Sequence, residues 1–188
     1  MKRLLCLVLM LAMCVFNAAA EDVVEVGQSE AIPFTESDAP YDGIWQPFED
    51  GFRLYLPRGW VAIDITDAQR EAGLFYRAGS ADGAMDLAVG YMRAGSLATV
   101  EDLARDFEAV GFSNVARLDL NGIPAIGFDR PGEDYRGVAF FHPAYPDYVM
   151  YVYLSPLAPT DGILARTGAA LMASIGPSRV LQDMLKNN

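Results

Sequence analysis

His142 is the only imidazole among 188 residues, so any serine–histidine relay in this chain has to be built on it. Such a relay also needs a serine held on a sharp turn and a carboxylate that orients the ring. No G-x-S-x-G occurs, and His142 precedes Pro143 at the expected end of a strand, where a histidine bonded to backbone or water is the simpler reading. Asp82 and Asp86 invite a metal reading, but a calcium loop needs several more oxygens at set spacing and a closing glutamate; a turn and an outward carboxylate account for the pair. Beyond the N-terminal segment the only lysine is Lys186, close to the chain end, which argues against Schiff-base and phosphate-gripping lysine chemistry. Paired carboxylates of the glycosidase kind come from distant positions and leave no local motif. No glycine-rich nucleotide fingerprint is present. The residues therefore assign no catalytic group, no metal ligand and no cofactor.

What remains chemically distinctive is aromatic density. Phe140, Phe141, His142, Pro143, Tyr145, Pro146, Tyr148, Tyr151 and Tyr153 fall within fourteen positions. Most of these rings must be core, because aromatics contribute large apolar areas on burial. Tyr145, between Pro143 and Pro146, is the best placed for an exposed contact. His142, Tyr145 and Asp147 form the candidate interaction surface.

The elements that must position this loop begin after an N-terminal leader. Met1-Lys2-Arg3, an apolar run over residues 4–16 and Asn17-Ala18-Ala19-Ala20-Glu21 make up the three parts of a secretory signal peptide, with cleavage expected between Ala20 and Glu21. The apolar run is shorter than the roughly 20 residues a membrane-spanning helix needs. Leu11-Ala12-Met13-Cys14 fits a lipobox poorly, since methionine stands where a small residue belongs. Both cysteines, Cys6 and Cys14, lie in this leader, so the expected mature chain has neither disulfide nor thiolate chemistry. Residues 21–50 carry nine acidic and no basic side chains, against 16 acidic and 12 basic in residues 51–188. Residues 1–20 are thus expected as signal peptide, 21–42 as an acidic disordered linker, and 43–188 as one domain. A mature chain with 12 basic and 25 acidic groups, net −13, disfavours nucleic acid and anionic lipid as partners. The expected location is periplasmic or extracellular.

Within the domain, extended runs are expected at 44–48, 52–56, 60–65, 74–77 and 84–92, with Asp50-Gly51 as a hairpin turn. Trp60 is read as a core plug. Residues 66–72 allow a single helical turn. Residues 99–111 form the clearest helix: Thr99 caps it with Asp102 three residues on, Gly111 ends it, and Val100, Leu103, Ala104, Phe107 and Val110 trace one apolar stripe. An antiparallel meander follows over 115–155, broken by Asn121-Gly122, by Pro131-Gly132-Glu133-Asp134 and by Pro143-Ala144-Tyr145-Pro146. Its run 148–153 is apolar on both faces and is placed centrally, covered on both sides. A closing helix over 161–175, capped by Thr160, carries the stripe Ile163, Leu164, Gly168, Leu171 and Ile175, and Gly176-Pro177 stops it. Two amphipathic helices and seven or eight antiparallel strands make an α+β fold, a mainly antiparallel sheet covered by helices.

The run Gly51-Phe52-Arg53-Leu54-Tyr55-Leu56-Pro57-Arg58-Gly59-Trp60 resembles the f-x-l-x-l-P-x-g-W opening of the PsbP-like (Mog/PsbP) fold. The helix over 99–111, the hairpin Leu120-Asn121-Gly122-Ile123-Pro124-Ala125 and the ending Met172-Ala173-Ser174-Ile175 follow the same layout, over about residues 44–176. The resemblance, to the exported DcrB-like branch, implies an α/β/α sandwich and a non-catalytic module that binds other proteins. Three readings of function follow: an exported accessory or binding module acting through protein or envelope contacts; a carrier of a small or lipophilic ligand held between sheet and helices; and a hydrolase with dispersed carboxylates.

Overall fold

The computed structural model describes residues 34–48, 51–159 and 161–178. The expected signal peptide, its expected cleavage point at Ala20 and Glu21, Asp50 of the first hairpin and Thr160 lie outside the described residues. The elements are β1 (Gly43–Phe48), β2 (Phe52–Pro57), β3 (Val61–Ala62), α1 (Asp67–Glu71), β4 (Leu74–Gly79), β5 (Asp86–Arg93), α2 (Val100–Ala109), β6 (Ser113–Asp119), β7 (Pro124–Arg130), β8 (Tyr135–Phe141), β9 (Tyr148–Ser155), α3 (Gly162–Ala173) and β10 (Gly176–Pro177). They build an α+β fold from two antiparallel sheets, one ordered β3-β4-β5-β9-β8-β7-β6 and a smaller one ordered β1-β2-β10. Ten strands are described where seven or eight were expected; two of the ten, β3 and β10, are only two residues long.

The meander over 115–155 is present as β6 to β9 in consecutive order, and β9 lies in the middle of the seven strands. Its side chains alternate between two cores, as the period of two along a strand requires. Met150, Val152 and Leu154 enter the larger core, with Leu87, Val89, Val138 and Phe140 from the same sheet. Phe52, Leu54 and Leu56 of the small sheet and Leu171 of α3 cover that face. The Phe52 ring meets Phe140 edge-on at 5.1 Å. Val149 and the half-buried Tyr151 enter the second core, which Leu103 and Phe107 of α2 close against Ile126, Phe128 and Ala139. One face is therefore roofed by a helix, and the other by a helix together with a second sheet. Each fully buried Leu or Phe in these layers contributes about 1.5–3 kcal/mol through removal of its surface from water.

Local chemistry explains the element ends. The Thr99 hydroxyl accepts the Asp102 N–H at 3.1 Å and the Asp102 carboxylate accepts the Thr99 N–H at 3.1 Å, a reciprocal capping box at the start of α2. Val110, expected on the buried stripe, is 57% exposed; it is the C-cap, beyond the last helical residue, and points off the stripe. Helix α3 is capped by Asp161, whose carboxylate accepts the Ile163 N–H at 2.6 Å. Ile163, likewise placed on a buried stripe from sequence, is 59% exposed in the first turn of the helix. Asn121 and Gly122, with φ of 55° and 96°, form the tight turn between β6 and β7, closed by mutual Leu120–Ile123 backbone bonds of 2.9 and 3.2 Å.

Part of the segment expected as disordered linker is ordered. Residues 34–42 pack on the small sheet: the Tyr41 ring stacks on Tyr55 at 5.8 Å and its hydroxyl donates to the Tyr55 carbonyl at 2.8 Å. Phe34 stands edge-on to Trp45 at 6.1 Å. These aromatic anchors hold the end of the acidic segment on the domain despite its charge. Of the extended run 60–65 only Val61–Ala62 pairs as a strand, and Trp60 packs half-buried against the larger core. Gly176-Pro177 ends α3 as expected, and also adds a third strand to the small sheet, with Gly176 opposite Arg53 and Pro177 opposite Phe52.

A candidate aromatic binding groove

The loop between β8 and β9 is held from within by its histidine. His142 Nδ1 accepts the backbone N–H of both Ala144 and Tyr145 at 3.1 Å. The His142 and Tyr148 backbones also bond, N–H to carbonyl, at 2.8 Å, and the Tyr145 N–H reaches the His142 carbonyl at 3.1 Å. Nδ1 is thus an acceptor fixed by two amides, and the strand-end histidine is a loop brace. The Tyr145 ring lies 5.0 Å from the imidazole and is 56% exposed.

These two side chains stand over a groove of about 570 Å³. Phe48 and Phe52 enter it from the turn end of the β1–β2 hairpin, Phe75 from β4, Tyr91 from β5, and Tyr148 and Met150 from β9. The rings form a continuous row: Phe52 to Phe48 at 4.8 Å, Phe48 to Phe75 at 6.0 Å, Phe75 to Tyr91 at 6.1 Å, and Tyr91 to Tyr148 at 5.7 Å. Phe75 and Tyr91 are 42% and 43% exposed. The register of β4 against β5 shifts between Leu74 and Tyr76, which places Phe75 at the bulge. No charged side chain lines the groove among the described residues. The Arg93 guanidinium lies 5.9 Å from the Tyr148 ring centre.

Of the three residues proposed from sequence, the fold brings His142 and Tyr145 together on the groove and leaves Asp147 outside its lining. Asp147 is exposed, and its carbonyl accepts the Ala94 N–H at 2.8 Å, anchoring the far end of the loop. Phe75 and Tyr91 were missed as site residues. Tyr91 shares the strand face of Met85, Leu87 and Val89 and so reads as core; only the β4–β5 register, which places it beside Phe75 at a strand end, shows that it forms a rim.

Carboxyls with shifted acidity give no catalytic pair. Asp38 is lowered chiefly by the Thr35 backbone amide, Asp82 by the Ser80 hydroxyl and Asp102 by the Thr99 hydroxyl. These are turn and cap interactions in three separate places. Asp86 is ion-paired with Arg77, and the described residues contain no His, Cys, Asp and Glu cluster able to hold a metal. No described helix is long and apolar enough to cross a membrane. A second cavity, of about 440 Å³, lies beneath α3, with Ala165, Gly168 and Met172 on one side and Leu118, Val138 and Leu154 on the other.

No family model matches the chain, and no curated protein matches it. Among solved structures it is similar to a crystal structure from Bacteroides thetaiotaomicron VPI-5482, with 10% sequence identity and a TM-score of 0.42. The match covers 68% of this chain and 45% of that one, so this chain spans less than half the length of the protein it matches.

Proposed function

We propose that the protein is an exported bacterial binding module, non-catalytic, whose aromatic groove takes an extended, uncharged segment of a protein partner in the cell envelope. The observation that carries this reading is the groove itself: a row of rings, with no charged lining among the described residues and three of its aromatic side chains open to solvent. Extended proline-rich segments dock in aromatic-lined grooves because their backbone is already fixed, so ring contacts are gained at low entropic cost. The brace from His142 Nδ1 to two amides supports the same reading, since a preorganised loop reduces what binding must spend on ordering. Export rests on the leader sequence, and the PsbP-like resemblance is in keeping with a partner-binding role.

The reading is tested by titrating a decaproline peptide into isotope-labelled protein and following amide and ring resonances. Saturable shifts at Phe75, Tyr91, Tyr145 and Tyr148, lost in Tyr91→Ala, support it. Saturation without groove shifts, or no binding, counts against it.

The cavity beneath α3 favours a second reading, a carrier of a lipophilic ligand between sheet and helix. Gly168 has room for a side chain, an added Cβ meeting Leu154 and Met85 at 3.5 Å. If the carrier reading holds, protein purified from its own cells and extracted with organic solvent releases one lipid per chain, and Gly168→Leu abolishes the release.

A further inference from the structure

A second aromatic cleft, on the opposite face of the large sheet, has a different chemistry. It encloses about 550 Å³, and its walls include Phe107, Phe112, Phe128, Tyr135, Tyr151 and Tyr153. Two acidic residues, Asp106 on α2 and Glu133 after β7, line it at the exposed edge, and no basic residue does among the described residues. The tyrosines form a floor. Gly90 lies opposite Tyr151 across the β5–β9 pair, and a Cβ at Gly90 would fall 2.3 Å from the Tyr151 ring, so that ring lies flat on the sheet over the glycine. Tyr153 runs nearly parallel to it at 6.3 Å and 14°, and Tyr135 packs on Tyr153 at 4.6 Å.

One organic cation of the protein's own packs against two of the residues that line the cleft, Phe112 and Glu133. The Arg130 guanidinium sits 4.6 Å from the Phe112 ring centre, 3.3 Å from the Glu133 carboxylate, and donates to the Val110 carbonyl at 3.1 Å. Ring face plus carboxylate is thus a working combination at one end of this surface. The three tyrosines share the lining with Asp106; Arg130, which acts on Tyr135, is paired with Glu133, and Arg77, which acts on Tyr153, is committed to Asp86. A net charge of −11 draws cations toward the molecule.

We infer that the Tyr135–Tyr151–Tyr153 cleft binds a quaternary ammonium group. Ring faces compensate a diffuse, weakly hydrated methylated cation better than a strongly hydrated primary ammonium, which needs hydrogen-bond acceptors in a fixed shell. Burial raises the pKa of all three phenols, Tyr151 to about 12, so the floor stays neutral at physiological pH and the attraction comes from ring faces and Asp106. The group has two natural sources, a free trimethylammonium solute or a phosphocholine lipid headgroup.

The test titrates the full chain with choline and, separately, with 3,3-dimethylbutanol, its uncharged carbon analogue, following the tyrosine ring resonances. Saturable shifts at Tyr135, Tyr151 and Tyr153 with choline and none with the alcohol are expected. A loss of about tenfold in Tyr153→Leu and about threefold in Asp106→Asn accompanies them, as ring and charge terms of this size imply. Tyr153→Phe keeps the ring face and restores binding. A third arm sediments the protein with phosphatidylcholine vesicles: tyrosine-dependent co-sedimentation without a response to free choline assigns the lipid source. Equal response to choline and the alcohol, or no response in any arm from a folded protein, overturns the inference.

Discussion

Asn121 offers the sharpest quantitative check on how the two sheets are locked together. Its Nδ2 donates to the carbonyls of Ala173 at 2.8 Å and Ile175 at 2.7 Å, and its Oδ1 accepts the Phe34 N–H at 2.8 Å. One side chain therefore joins the tip of the β6–β7 hairpin to the end of α3 and to the N-terminal segment. Its backbone is left-handed, φ 55°, where a residue with an ordinary Cβ is penalised by about 1–2 kcal/mol. Three hydrogen bonds at about 1 kcal/mol net each, discounted for the exposed one, come to about 2–3 kcal/mol. Asn121→Ala loses the bonds and takes on the full left-handed strain, for about 3–4 kcal/mol; Asn121→Gly loses the bonds alone, for about 2–3 kcal/mol. Equilibrium urea unfolding reads both as a shift in midpoint at constant slope. An alanine variant within about 1 kcal/mol of the parent, or one more stable than the glycine variant, refutes the reasoning.

Gly90→Ala drives a methyl into the Tyr151 ring at 2.3 Å and is expected to cost about 1–3 kcal/mol as overpacking; combining it with Tyr151→Leu costs less than the sum, measured as a double-mutant cycle in urea. Burial raises the pKa of Tyr41, Tyr76, Tyr135, Tyr151 (to about 12) and Tyr153. The unfolded chain releases these protons near pH 10 and the fold retains them, so their contribution is whole below about pH 10 and is lost as pH rises toward 12. Urea midpoints measured alongside phenolate absorbance should fall over that window, and a flat profile contradicts the sign. His142→Phe keeps a ring beside Tyr145 but removes the Nδ1 acceptor, and amide exchange is expected to quicken about tenfold at Ala144, by loss of about one hydrogen bond. The effect at Tyr145 is smaller because its N–H also reaches the His142 carbonyl at 3.1 Å; unchanged exchange at Ala144 contradicts the brace.

Much of the scaffold was legible because its signals are local. The Thr99–Asp102 box, the Asn121–Gly122 turn and the two-faced apolarity of residues 148–153 each specify their conformation within a few residues, and each appears as expected. What escaped depends on partners distant in sequence. Gly176-Pro177 reads as a helix stop, and nothing local shows that it closes a sheet against Phe52. Asn121 reads as a turn residue, although its side chain reaches 54 positions along the chain. The groove shows the same division. His142 and Tyr145 stood out by composition and belong to it; Asp147 stood out and does not; Phe75 and Tyr91 join it through a bulged cross-strand register that periodicity cannot reveal. Val110 and Ile163 carried the right spacing for burial but sit at helix ends and are exposed.

The central claim is that the His142–Tyr148 groove is where a protein partner docks, and site-specific photo-crosslinking in intact cells tests it most directly. A benzophenone side chain replaces Tyr145 at the groove, and in a second strain Ile163, equally exposed on α3. The account predicts a discrete adduct from position 145, absent from position 163 and lost with Tyr91→Ala, whose mapped contact is an extended uncharged segment of the captured protein. Identical adducts from both positions, or an adduct indifferent to Tyr91, contradict it.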